Sequence, residues 1–89
     1  MNHLIIRIYG RVQGVGFRYA AQKEADARGV TGFVRNEPDG SVYIEAQGAQ
    51  NDMDSFVGWC RKGPWLGKVD RIECELSDAP GGFTDFTIR

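Results

Sequence analysis

Histidine is nearly missing from this chain: His3 is its one imidazole. A Ser/His/Asp or Cys/His nucleophile system needs a histidine held by other elements of the fold, and a ring at the very start of the chain is expected to be a bystander. Cysteine is scarce as well. Cys60 and Cys74 are spaced for neither zinc nor a redox pair, and both are expected to be reduced, buried or half-buried thiols, although a Cys60–Cys74 bridge stays open at this level. There is no His, Cys or carboxylate cluster at metal-ligand spacing, so neither a metal nor a cofactor is expected. A run of about 20 apolar residues, the length needed to span a bilayer, is also missing. The N-terminus lacks the apolar core of an export signal, which makes the cytoplasm the expected location. Neither sign of charge is in surplus: eleven basic residues face twelve acidic ones. That balance gives no electrostatic footprint for nucleic acid or an anionic membrane, so any anion site must be local.

What is present suffices for one compact α+β domain over residues 1–89. Leu4, Ile6 and Ile8 alternate with His3, Arg7 and Tyr9, the pattern of a strand with one face in a core. Gly10, Gly14 and Gly16 then mark a turn. Phe17 to Arg28 holds good helix formers, with Phe17, Ala21, Ala25 and Arg28 on one face and Gly29 as a stop. Val30 to Asn36 reads as a strand, and Asp39-Gly40 turns it into a partner over Ser41 to Ala46. A second helix should begin at an Asn51 N-cap, bury Met53, Phe56, Val57 and Cys60, and end at Gly63-Pro64. A fourth strand from about Lys68 alternates Ile72, Cys74 and Leu76 with charged residues. After a Pro80-Gly81-Gly82 turn, a short last strand carries Phe86 and Ile88. Phe17, Phe56 and Phe86 are expected in the core, while Arg11, Arg35, Lys62 and Arg71 read as solvated charges. The order βαββαβ, with one extra strand, predicts a ferredoxin-like split βαβ sandwich: an antiparallel sheet with two helices on one face.

Chemistry concentrates in Gly10-Arg11-Val12-Gln13-Gly14-Val15-Gly16-Phe17-Arg18. If the amides of Gly14 to Arg18 converge, they form an anion nest at the positive end of a helix, sized for a tetrahedral phosphate. Arg18 falls in the first helical turn, where the macrodipole disfavours a cation by ~0.3–1 kcal/mol. A bound phosphate would reverse that and let the guanidinium grip two oxygens. The loop lacks the third glycine of a dinucleotide fingerprint and the Gly-Lys-Ser/Thr of a Walker A motif. On the second strand, Asn36 shares the inward side with Gly32 and Val34, so its amide needs a partner there.

The loop resembles the first signature of the acylphosphatase family, and Gly32-Phe33-Val34-Arg35-Asn36-Glu37-Pro38-Asp39-Gly40-Ser41-Val42 resembles its second. The likeness runs through Gly63-Pro64 and Val69 to Phe86-Thr87-Ile88-Arg89. Phe33 stands where tryptophan is common in that family, Trp65 and Gly67 alter the segment after Gly63-Pro64, and no final aromatic follows Arg89. The resemblance implies hydrolysis of a carboxyl–phosphate anhydride without a metal or covalent intermediate. By the same resemblance Arg18 and the Gly14, Val15, Gly16 and Phe17 loop bind the phosphoryl group, and Asn36 holds the attacking water. The implied substrate is a small acyl phosphate, with inorganic phosphate or sulfate as competing anion and a monomer as the working form. Two other functions share this element order. An RNA-recognition module would need stacking aromatics on its sheet; an array of Phe and Tyr is not visible along the strands, and the charge is slightly acidic. An accessory domain of a carbamoyl-transfer maturation protein would keep the anion loop without turnover.

Overall fold

The computed structural model describes residues 2–79 and 81–89. Its elements are β1 (Asn2–Arg11), α1 (Phe17–Ala27), β2 (Thr31–Asn36), β3 (Val42–Gly48), α2 (Gln50–Lys62), β4 (Lys68–Leu76) and β5 (Phe86–Ile88). They form one five-stranded sheet in the order β4-β1-β3-β2-β5, with both helices against one face. The alternation of the strands decides which side is covered. Ile6 and Ile8 of β1, Val34 of β2 and Val42, Ile44 and Ala46 of β3 are fully or almost fully buried together with Phe17, Ala21 and Ala25 of α1 and Met53, Phe56 and Cys60 of α2. Burial of these side chains is the main force holding the two layers together. No helix among the described residues is long and apolar enough to cross a membrane.

The split βαβ layout is present, with one correction. The sheet is mixed, because β5 pairs parallel to β2 (Gly32↔Phe86, Val34↔Ile88) while the other pairings are antiparallel. The reason lies in where β4 stops. Leu76 ends opposite Leu4, and His3 is opposite Gln47, which itself faces Thr31 at the start of β2. The chain therefore crosses one end of the sheet and enters β5 running the same way as β2. His3 anchors that crossover: it is buried, with Nδ1 2.8 Å from the Ala79 carbonyl oxygen and Nε2 2.9 Å from Glu45 Oε1, and Phe83 packs edge-on to its ring. The Pro80 part of the expected turn lies outside the described residues.

Three further expectations shift. Helix α2 starts at Gln50 with Ala49 at its N-cap and no capping side chain, so Asn51 is already inside the first turn. There Gln50 Nε2 donates to Asp54 Oδ1 at 2.7 Å, one turn along the helix. Strand β4 buries little: Ile72 is half-buried, whereas Cys74 and Leu76 are exposed. It is a sheet edge reached by only part of α2: Cys74 and Leu76 stand opposite Ile6 and Leu4 on the helix side but stay exposed, while Ile72 packs against the core. Cys60 is buried and Cys74 exposed, both as free thiols, and burial pushes the Cys60 thiol pKa strongly upward. Finally, the uncovered sheet face does carry aromatics: Phe33 packs against Tyr43 and Phe83, and Tyr9 stands nearby on β1. Their rings are already capped by arginines, with Arg35 4.4 Å over Tyr43, Arg89 4.1 Å over Phe33 and Arg71 4.1 Å over Tyr9.

Candidate active site

Strand β1 ends at Arg11, and the next five residues turn the chain into α1. Gly14 and Gly16 both adopt the left-handed conformation, φ +74° and +77°, and a Cβ on either would meet nothing within 4 Å. Glycine is needed there for its backbone angles rather than for space. Gly16 is also the N-cap of α1. It supplies no capping side chain, and the first turn contains no acidic residue. The leading N–H groups of a helix have no intrahelical acceptor, and here no side chain of the cap takes their place. Arg18, exposed in that same turn, makes no ion pair among the described residues. The outcome is a helix start with its positive end open and a free guanidinium beside it, an arrangement that attracts an oxyanion.

Beside this helix start lies a cavity of about 230 Å³ lined by Val12, Gly14, Gly16, Phe17, Arg18, Tyr19, Asn36 and Ile88. Of the residues singled out in the sequence, Gly14, Gly16, Phe17, Arg18 and Asn36 thus meet at one place. Val15 is the exception: its side chain is turned from the cavity, and a Cβ at Gly67 would lie 3.3 Å from Val15 Cγ2. Only the backbone of Val15 is left to serve the site. Asn36 enters from the last position of β2, on the helix-covered side together with Gly32 and Val34. Its Oδ1 is buried and has no hydrogen-bond partner among the described residues. A buried carbonyl oxygen without a donor costs roughly 1–3 kcal/mol, and a water or ligand in the cavity would remove that cost.

Sequence reasoning did not find Val12, Tyr19 and Ile88 as part of the wall. Ile88 comes from the far end of the chain and is placed by the parallel β2–β5 pairing, closed by Arg89 N–H donating to the Val34 carbonyl at 2.8 Å. Tyr19, 61% exposed, extends the wall outward, with Lys23 Nζ 5.5 Å from its ring centre. The lining thus mixes buried apolar side chains, Val12 and Phe17, with the exposed Arg18 and Tyr19 and the buried Asn36 Oδ1. Among the described residues no three His, Cys, Asp or Glu side chains converge as a metal site would require.

The chain as a whole is similar to known proteins. A family model described as Acylphosphatase matches residues 4–88. The chain is 43% identical over 83 residues to an acylphosphatase of Thermococcus kodakarensis, covering 93% of this chain and 90% of that one. The crystal structure of acylphosphatase from Bacillus subtilis superposes with a TM-score of 0.96 at 43% identity, covering 100% of this chain and 99% of that chain. A crystal structure of HypF from T. kodakarensis also matches, at 30% identity and a TM-score of 0.87, but this chain spans only 12% of it.

Proposed function

Because the chain belongs to the acylphosphatase family of hydrolases, we propose that the cavity at the start of α1 is its active site, with Arg18 binding the phosphoryl group and Asn36 holding the water that attacks it. The amides of Gly14 to Phe17 receive phosphoryl oxygens at the open helix end, and the Arg18 guanidinium takes two oxygens side by side. Water, accepted at Asn36 Oδ1, presents a lone pair to phosphorus opposite the acyl oxygen. The new P–O bond forms as the P–O(acyl) bond breaks, the carboxylate leaves with the bonding electrons, and a water proton passes to a phosphoryl oxygen. A carboxylate leaves readily without protonation, so the scheme needs no strong general acid, and rate comes from positioning and charge. The observation that carries this reading is the buried, unpartnered Asn36 Oδ1 in the same cavity as an uncapped helix start and an unpaired arginine. The scheme calls on no side chain of a second subunit, and the enzyme is proposed to work as a monomer in the cytoplasm.

The test separates the two side chains. Arg18→Ala should lose ~3 kcal/mol or more of transition-state stabilisation, the scale of an oxyanion-hole donor, together with affinity for inorganic phosphate. Arg18→Lys should recover little, because an ammonium cannot replace the planar fork. Asn36→Ala should lose turnover of acetyl, benzoyl and carbamoyl phosphates yet bind inorganic phosphate almost normally by calorimetry. Folded Asn36→Ala with wild-type turnover, or with phosphate binding as poor as that of Arg18→Ala, would refute the division of roles.

A further inference from the structure

Gln13 lies in the middle of the loop yet does not line the cavity, and it brings neither charge nor backbone freedom. Its amide points across to the β2–β3 hairpin instead. Nε2 donates to the Glu37 carbonyl at 2.8 Å and to the Ser41 carbonyl at 2.9 Å. Those two carbonyls are the base of the turn that follows Asn36. The turn is stiff without Gln13: Glu37 N–H donates to Ser41 O at 2.9 Å, Gly40 N–H donates to Glu37 O at 3.1 Å, and Asp39 Oδ1 accepts from the Ser41 N–H and hydroxyl at 2.9 and 2.5 Å. Ser41 is buried. Both hydrogens of one NH2 group thus bind the anion loop to a rigid turn that begins one residue after Asn36.

We propose that Gln13 is a positioning residue, whose amide sets the distance between the phosphoryl-binding loop and the Asn36 side chain and so holds the attacking water in line. This rests on the reading of Asn36 and Arg18 given above. In-line attack is sensitive to small displacements, and a shift of about 1 Å from a substitution outside the reacting groups can lower a rate by about a hundredfold. Loop and hairpin are separate segments, so nothing in the local chain fixes their spacing, whereas a donor pair on two carbonyls does. The chemistry of the partners decides which side chains suffice. Both are acceptors, so a donor is required, and a carboxylate of the same shape would repel them.

The experiment measures kcat and KM on benzoyl phosphate, phosphate affinity by calorimetry and thermal stability for Gln13→Glu, Gln13→Ala and Gln13→Lys, alone and in the Asn36→Ala background. Gln13→Glu and Gln13→Ala should lower kcat by roughly ten- to a hundredfold while phosphate affinity stays within about threefold. Gln13→Lys, which restores N–H donors, should regain part of the rate. In the Asn36→Ala background, Gln13→Ala should cost almost nothing more, since the group it positions is gone. A folded Gln13→Ala with wild-type kcat, a loss that adds fully to that of Asn36→Ala, or a rate loss matched by lost phosphate affinity would each overturn the proposal. If Gln13→Glu does not fold, the Ala and Lys variants decide the matter. Asn36→Ala at wild-type rate would sink the earlier reading of Asn36 on its own, independently of the Gln13 result.

Discussion

At the scale of single residues, the site depends on what the sequence does not place there: no acid in the first turn of α1 and no side chain on its N-cap. Gly16 is the residue at which this can be tested. Its φ of +77° with open space beyond it means that Gly16→Ala should fit sterically but cost about 1–2 kcal/mol of stability, measurable by urea unfolding, and should weaken phosphate binding as the cradle opens. A variant as stable as the wild type would show that the loop reaches the same shape with a β-carbon. Arg18 and Asn36 stood out in the sequence because each violates a local preference, a cation at the positive end of a helix and an amide on the apolar side of a strand, and the resemblance of the two motifs supplied their expected roles. Ile88 and the bonds of Gln13 did not stand out. Their partners lie 24 or more residues away, and periodicity along the chain says nothing about which segment crosses it.

At the scale of elements, the β2–β3 turn couples acid to structure. Hydrogen bonds from the Ser41 hydroxyl and amide hold the Asp39 carboxyl below its ordinary value, so its folded pKa lies under the unfolded one. The stability this contributes is present above about pH 4 and is lost as pH falls through the folded pKa. Asp39→Asn should therefore be less stable than the wild type at pH 7, and denaturant midpoints should show the gap narrowing toward pH 3. An unchanged gap would mean that the carboxylate is not what orders the turn. The elements themselves were read well from Phe17, Met53, Phe56 and Ile6, whose periodicity matches the buried faces. The alternation of Cys74 and Leu76 misled because a strand pattern shows that one face is apolar, not that something lies on it. The aromatic face went unseen for a related reason: Tyr9, Phe33 and Tyr43 sit on different strands, and only the β1-β3-β2 order makes them neighbours.

At the scale of the whole molecule, the reaction is assigned to fixed amides, one guanidinium and one carboxamide. Exhaustive chelation should therefore leave turnover of benzoyl phosphate unchanged, and added divalent ions should not raise it; reproducible loss restored by one metal would demand a different mechanism. The sheet order has a consequence for how the chain comes into being. β1 sits inside the sheet between β3 and β4, which both follow it in the chain, and β5, which follows the other strands, supplies one wall of the cavity. On a ribosome, β1 can pair with β3 only after the first helix and hairpin have emerged, and its other edge stays open until residues 68–76 follow. Such long sequence separations slow folding and leave an apolar strand exposed in the interval. The proposed site is accordingly complete only once β5 has paired with β2: catalytic competence should appear in one step when residues 86–88 join the sheet, not gradually as the earlier elements form.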